Sequence, residues 1–235
     1  MGRLVRGGLL LLLALAAQTA PVERASVFAL EGDSTQRLFT FERTMAAAHG
    51  QTVANVRFHN QAGDVAVTEQ VTYSGQSVVR HELVQHQVDE RYVMTVSGGD
   101  AVIEIERNGK TSRTQHDWTP NTLTVDQIRP HVTAHWNQLM RGEAVSFRLV
   151  ALTRARIVGF TLQRHEVTQY RGQTAVLIRM QAGSIFVRWF APEIDMVFSP
   201  DGKTLLESRG PLPVKVKHGS DWVDLDGHMV WDAGP

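Results

Sequence analysis

Two histidines four residues apart, His131 and His135, are the clearest candidates for chemistry in this sequence. On a helix this spacing places both imidazoles on one side, where they could bind a single metal ion. A catalytic zinc site needs a third protein ligand, and zinc proteases also carry a glutamate beside the first histidine, where this chain has Val132. A distant third ligand would have to be His81, His86 or Asp126. Metal-assisted hydrolysis is therefore one alternative, but we expect two polar residues on a packing helix and no metal.

The other templates for catalysis are missing from the sequence. The segment Gly75-Gln76-Ser77-Val78-Val79 lacks the final glycine of a nucleophile elbow, and neither a phosphate-binding loop nor a dinucleotide fingerprint occurs. The chain has no cysteine, which excludes thiolate chemistry and disulfides. We therefore expect no catalytic residue and no cofactor, and a protein that is not an enzyme.

The charges balance overall but not locally. Lysines and arginines equal aspartates and glutamates at 24 each, which argues against nucleic acid as a partner. Residues 64–106 are acidic and residues 141–188 are rich in arginine, so two sheet faces could attract each other, or the arginines could line a rim for an anionic group. Glu69 shares a strand face with Val71 and Tyr73, so it should be partly buried and paired, with an arginine as the expected partner.

The elements that must position these residues are mostly strands. Apolar and polar residues alternate with period two, and glycine-rich or asparagine-rich turns separate the runs. Strands are predicted near 36–47, 52–59, 64–73, 77–87, 91–97, 101–108, 111–118, 144–153, 156–166, 173–182, 185–191, 194–199, 203–209 and 213–218, with one or two more in 222–231. The connections are too short for parallel crossovers. The sequence thus predicts a mainly β fold, a large antiparallel curved sheet or half-open barrel.

One segment, about 125–141, has helical spacing. Thr124 or Asp126 can cap its start, and Arg141-Gly142 ends it. Its apolar stripe is formed by Val125, Ile128, Val132, Trp136 and Leu139. We expect this single amphipathic helix to pack on the concave face of the sheet.

The first twenty residues have the pattern of a secretory signal peptide. Arg3 and Arg6 precede the apolar run Leu9 to Leu15, and a small-residue site favours cleavage near 16–20. The run is shorter than the roughly 20 residues that span a bilayer, so we expect no membrane-spanning segment. The prediction is a periplasmic protein with a signal peptide at 1–20 and a single β-rich half-barrel domain at 21–235.

The motifs resemble those of uncharacterised periplasmic β-rich families of the domain-of-unknown-function kind. In those families a helix leads into a Trp-x-x-Leu-x-x-Gly step, here Trp136, Leu139 and Gly142. A late strand pair carries the residues Pro192, Ile194, Phe198, Lys203, Leu205, Glu207 and Gly210. More distantly, the plan is similar to the half-open barrels of lipoprotein-localisation carriers, which hold acyl chains in a concave sheet under a helix.

The function favoured by the sequence is non-enzymatic binding or carriage of an apolar, lipid-like ligand in a half-barrel cavity. The predicted lining residues are Trp136, Leu139, Phe160, Leu162, Ile178 and Trp189. The alternative from another class is an envelope scaffold or assembly factor, binding a protein through a sheet edge or the aromatic segment Trp222 to Trp231.

Overall fold

Fifteen strands in one sheet make up most of the computed structural model, which describes residues 22–31, 35–183 and 193–232. The predicted signal peptide, the predicted strand 185–191 and Trp189 lie outside these residues. The first eight strands are β1 (Val22–Ala29), β2 (Phe39–Ala48), β3 (Gln51–Asn60), β4 (Val65–Ser74), β5 (Ser77–Gln85), β6 (Glu90–Ser97), β7 (Asp100–Arg107) and β8 (Lys110–Asp117). The others are β9 (Thr122–Leu123), β10 (Val145–Ala151), β11 (Arg156–Tyr170), β12 (Gln173–Ala182), β13 (Ile194–Phe198), β14 (Leu205–His218) and β15 (Asp221–Trp231).

The chain enters the sheet in the middle, because β1 pairs with both β2 and β15. From β1 it runs by consecutive antiparallel pairs to one edge at β8 and crosses to the opposite edge at β9. It then returns to the middle at β15. The one parallel pair in the described sheet joins β9 to β10. This topology confirms the predicted mainly β fold with a large, mostly antiparallel sheet.

The predicted strands differ from the structure at β1, at β14 and at the two-residue strand β9, which no alternating pattern of that length could indicate. The strand β1 was not predicted, because its short run follows directly on the signal-like segment. The predicted strands 203–209 and 213–218 are one strand, β14, which continues through a register shift between Leu212 and Lys215. The glycine and the two prolines in this run are typical of a turn, and the sequence was therefore divided there. In the structure they lie beside a bulge, which bends the strand without ending its pairing.

The sheet curls so that distant strands meet. Gln85 at the end of β5 donates a hydrogen bond to the carbonyl of Pro213 in β14, at 2.6 Å. The ring of His116 in the edge strand β8 lies 2.9 Å from the carbonyl oxygen of Ala155, between β10 and β11. These contacts join strands from the two halves of the sheet order and give the sheet a barrel-like form.

The helical segment is shorter and more broken than predicted. A 3₁₀ turn (Val125–Gln127) leads into α1 (Ile128–Ala134), and after His135 the chain continues as α2 (Trp136–Met140). Thr124 caps the start in a capping box with Gln127. Placing Val125 in the buried stripe was wrong: its side chain is 55% exposed. The tighter 3₁₀ turn rotates it away from the face that an α-helix would bury.

Two hydrophobic cores divide the interior. The larger core lies mainly among β1 to β7, with contributions from β14 and β15. The second core is formed by the helical segment with β10 to β14. The helical segment therefore packs on the C-terminal half of the sheet. Within the described ranges, no helix has the length and apolar character needed to cross a membrane.

Candidate functional site

The residues predicted to line a cavity under the helix come together in one packed cluster. Trp136 is 9% exposed and Phe160 8%, and the other three are completely covered. The members of this cluster from the predicted set are Trp136, Leu139, Phe160, Leu162 and Ile178. In this structure they act as core, and their role in ligand binding stays a prediction. Trp189 was also predicted here and lies outside the described residues.

Trp136 anchors the helical segment on the turn between β13 and β14. Its indole Nε1 donates to the carbonyl of Pro200 at 3.2 Å, and its ring packs on Phe198 with centroids 5.8 Å apart. The hydroxyl of Thr133 donates to the carbonyl of Gly202 at 2.8 Å. Gly202 has a φ of +71°, and a Cβ there would stand 2.2 Å from the indole ring. The turn therefore requires glycine both for its backbone and for the ring above it.

The histidine pair is close together but is oriented by its own helix. The rings of His131 and His135 have centroids 4.3 Å apart. Nδ1 of His135 donates to the carbonyl of His131 at 2.9 Å, while Nε2 of His131 is buried without a hydrogen-bond partner among the described residues. Burial, with a smaller effect of His135, lowers the pKa of His131 to about 4. His131 is therefore neutral at ordinary pH.

The candidates for a third metal ligand are occupied elsewhere. His86 contacts the hydroxyl of Thr68 at 3.1 Å, and no group of three or more histidines and carboxylates in the described ranges has a metal-binding arrangement. Asp126 receives two hydrogen bonds from Arg43, at 2.5 and 3.1 Å, and one from the hydroxyl of Tyr73 at 2.6 Å. The carboxylate of Asp126 therefore has a structural role, because its hydrogen bonds connect the helical segment to β2 and β4.

The network around Asp126 is a buried charged cluster. Burial alone would raise the pKa of Asp126, but the hydrogen bonds and charge of Arg43 outweigh it and hold that pKa below 3.8. Burial and the neighbouring carboxylate raise the pKa of Tyr73. Glu23 in β1 receives hydrogen bonds from Arg43 at 3.4 Å and from Arg129 at 2.5 Å. The helical segment is thus fixed to the N-terminal half of the sheet by charge and to the C-terminal half by apolar packing.

Glu69 has a different partner from the one expected. The partial burial predicted for it is confirmed, but its carboxylate lies 2.6 Å from Nε2 of His81, not beside an arginine. The register pairs Val71 with His81, which places the imidazole diagonally across from Glu69 on the same face. The sequence therefore indicated that Glu69 lies on the buried face of β4, but it did not indicate which residue of β5 lies next to it.

A groove on the other half of the molecule is the better candidate for binding. It has a volume of about 450 Å³, is open to solvent, and lies where the β14–β15 hairpin meets the ends of β2, β3 and β5. Its apolar lining consists of Leu38, Phe39, Ala62, Val216 and Trp222. Trp222 is 38% exposed, so a large aromatic surface faces the solvent here.

The polar lining of the groove is cationic. Four uncharged amides and two lysines contribute, and no carboxylate of the described residues lines it. Nζ of Lys215 is paired with Asp224 at 2.5 Å, whereas Nζ of Lys217 lies over the ring of Trp222, 5.3 Å from its centroid. The amides are Gln36, Asn60, Gln61 and Gln87.

A second depression of about 440 Å³ lies beside β1 and β15. It is lined by Phe28 and Trp231 together with Arg171 and Asp232, so both signs of charge occur in it. The described residues that line the groove near Trp222 include two lysines but no aspartate or glutamate. We therefore treat that groove, which we call the Trp222 groove, as the candidate site.

Sequence reasoning missed the Trp222 groove because its residues are far apart in the chain. The one signal available was the aromatic segment Trp222 to Trp231, which was interpreted as a protein-binding tail. The structure places this segment in β15, a central strand that pairs with both β1 and β14. Within the segment, Trp222 and Val223 at the hairpin end are exposed.

The acidic and basic stretches of the sequence do not attract each other through direct contacts. Among the described residues, no ion pair joins residues 64–106 to residues 141–188. The ion pairs of Glu82, for example, go to Arg80 and Arg91 within the same stretch. Neither stretch contributes a charge to the Trp222 groove.

Comparisons with known proteins give one informative result. No family model and no curated protein sequence matches the chain. Among solved structures, the chain is similar to the crystal structure of a β-barrel-like protein of domain of unknown function DUF1849 from Brucella abortus. The TM-score is 0.51 at 9% sequence identity, over 92% of this chain and 96% of that one. The likeness confirms the predicted β-rich architecture of the domain-of-unknown-function kind, and the distant similarity to lipoprotein carriers stays a prediction.

Proposed function

We propose that this protein is a non-enzymatic, periplasmic binding protein for a lipid-like molecule, and that the Trp222 groove holds the apolar part of the ligand. The observation that carries the proposal is an open apolar groove with an exposed tryptophan at its edge. Surface tryptophans are among the residues most enriched at binding sites, because they bury a large apolar area.

The dimensions of the groove suit a small amphiphile. Its volume of about 450 Å³ falls within the range of roughly 300–1,000 Å³ that is usual for small-molecule sites. It is shallow and widely open to solvent, so a bound chain would keep much of its surface in water. At about 0.8 kcal/mol per fully buried methylene group, such partial burial favours reversible binding of a single chain.

The surrounding residues hold the groove in shape without a ligand. Phe39 on its floor is 5% exposed and belongs to the larger core. Gln87 at its wall is fixed by hydrogen bonds to the backbone of Lys215 at 2.7 and 2.8 Å. A site that is already formed loses little conformational entropy when a ligand enters, which supports a binding function.

Native mass spectrometry of protein purified without detergent tests the proposal. We expect an adduct with the mass of a lipid or acyl chain, and restoration of the adduct when the delipidated protein is incubated with dodecanoate. Trp222→Ala should lose most of the adduct, because it removes the largest apolar surface of the groove.

The matched control is Val223→Ala. Val223 is 41% exposed on the same hairpin, but it lies on the opposite face and does not line the groove. An adduct that persists in Trp222→Ala, or that disappears equally in both variants, would place the ligand outside the groove. Circular dichroism of both variants would confirm that the hairpin is folded.

A further inference from the structure

We infer that the Trp222 groove selects amphiphiles with an anionic head group, and that Lys217 is the residue that recognises it. This inference rests on the proposed function, since it assumes that an apolar chain occupies the groove. It adds the chemical class of the ligand, a chain ending in a carboxylate or phosphate.

The lining of the groove carries the charge argument. Two lysines are among its lining residues, and none of the described residues that line it is an aspartate or glutamate. Asp224, which is paired with Lys215, lies beside the lining, so Lys217 supplies the unpaired positive charge that would attract an anionic head group and repel a quaternary ammonium head.

The two lysines differ in their availability. Nζ of Lys215 lies 2.5 Å from Asp224, so its charge is largely neutralised, and its side chain is 17% exposed. Lys217 is exposed and forms no ion pair with a described carboxylate. Its ammonium group lies over the face of Trp222, a position that leaves hydrogen-bond donors free for a ligand.

The relative positions of Lys217 and Trp222 match the two ends of an amphiphile. The two residues are directly paired across β14 and β15, so their side chains stand side by side on one face. A chain lying against the indole ring would bring its head group to the ammonium group. Cation and aromatic surface therefore form a single site for a polar head and an apolar chain.

Calorimetric titration with three twelve-carbon amphiphiles tests the inference, each below its micelle concentration: dodecanoate, dodecyl maltoside and dodecyltrimethylammonium. We expect dodecanoate to bind tightest and the cation weakest. Lys217→Gln should weaken dodecanoate binding roughly threefold, as expected for an exposed ion pair, and leave dodecyl maltoside unchanged. Lys217→Arg should keep the preference, because it keeps the charge.

The control is Lys203→Gln, which removes an exposed lysine on the β13–β14 turn, away from the groove. Equal affinity for dodecanoate and dodecyl maltoside in the parent protein, or an unchanged preference in Lys217→Gln, would overturn the head-group inference alone. If none of the three amphiphiles binds, or if Trp222→Ala binds them all as well as the parent does, the proposed function itself fails.

Discussion

The side-chain amide of Gln87 forms two hydrogen bonds with the backbone of Lys215, a residue 128 positions further along the chain. The amide donates to the carbonyl at 2.7 Å and accepts from the N–H at 2.8 Å. It takes the place of a strand partner next to the point where the pairing of β14 with β15 is interrupted. The backbone N–H and carbonyl of Lys215 thus find their hydrogen-bond partners in the opposite half of the sheet, and this contact helps to close the barrel-like form.

Gln87→Ala should lower the free energy of unfolding by about 1–3 kcal/mol, because it leaves two backbone groups of β14 without partners. Chemical denaturation measures this. The control is Gln70→Ala, which removes an exposed amide that donates a hydrogen bond to the side chain of Asn55, and it should change stability by less than about 0.5 kcal/mol. Equal effects of the two variants would show that the contact with β14 does not hold the sheet together.

Asp126→Asn should cost about 2–4 kcal/mol, because the buried guanidinium of Arg43 loses its nearest carboxylate and keeps only the longer contact with Glu23. The side chains of Arg43 and Asp126 are only 14% and 6% exposed. For comparison, Glu82→Gln breaks pairs with Arg80 and Arg91 that are much more exposed, and should cost about 1 kcal/mol or less. Thermal unfolding of both variants measures the difference, and a similar cost for the two would contradict a structural role for the buried pair.

Gly202→Ala should destabilise the protein by about 2–4 kcal/mol, because the new Cβ meets the indole of Trp136 and the backbone has a positive φ. Gly172→Ala isolates the backbone part: its φ is +79° and nothing lies within 4 Å of its Cβ position. It should cost only about 1 kcal/mol. If both glycines tolerate alanine equally in denaturation experiments, Trp136 is not seated on this turn.

The pH dependence of stability should reveal His131. Its pKa is about 4 in the folded protein and 6.5 in its ordinary state, so the unfolded chain takes up the proton first as pH falls. The contribution of neutral His131 is complete above pH 6.5 and is lost between pH 6.5 and 4. As the pH falls through that window, the free energy of unfolding should decrease by on the order of 1–2 kcal/mol less in His131→Asn than in the parent protein. The difference is smaller than the full pKa shift would give, because solvent reaches part of the ring. Parallel profiles from urea denaturation at a series of pH values would contradict this.

The strands and the helical segment could be predicted because each is encoded locally. Alternating residues such as Ile103 and Ile105 indicate a half-buried strand wherever they occur, and the pair Asn108-Gly109 fits the turn between β7 and β8, with both φ angles positive. The apolar spacing that includes Val132 and Trp136 indicated the helix for the same reason.

The candidate site could not be predicted because it depends on how the sheet curls. Leu38, Ala62 and Trp222 lie on different strands or turns, and no local pattern indicates that they share a groove. The same is true of His81, whose contact with Glu69 follows from the register of β4 with β5. Large apolar residues line cores and ligand sites alike, so the apolar spacing of the helix face does not distinguish a packed core from a cavity wall.

We propose that an apolar chain binds in the Trp222 groove and not beneath the helix. Its most direct test is a titration with spin-labelled dodecanoate, followed by NMR of the assigned tryptophan indole N–H signals. We expect the indole signal of Trp222 to broaden while that of Trp136 stays sharp. Broadening at Trp136 with Trp222 unaffected, or no broadening at either, would contradict it.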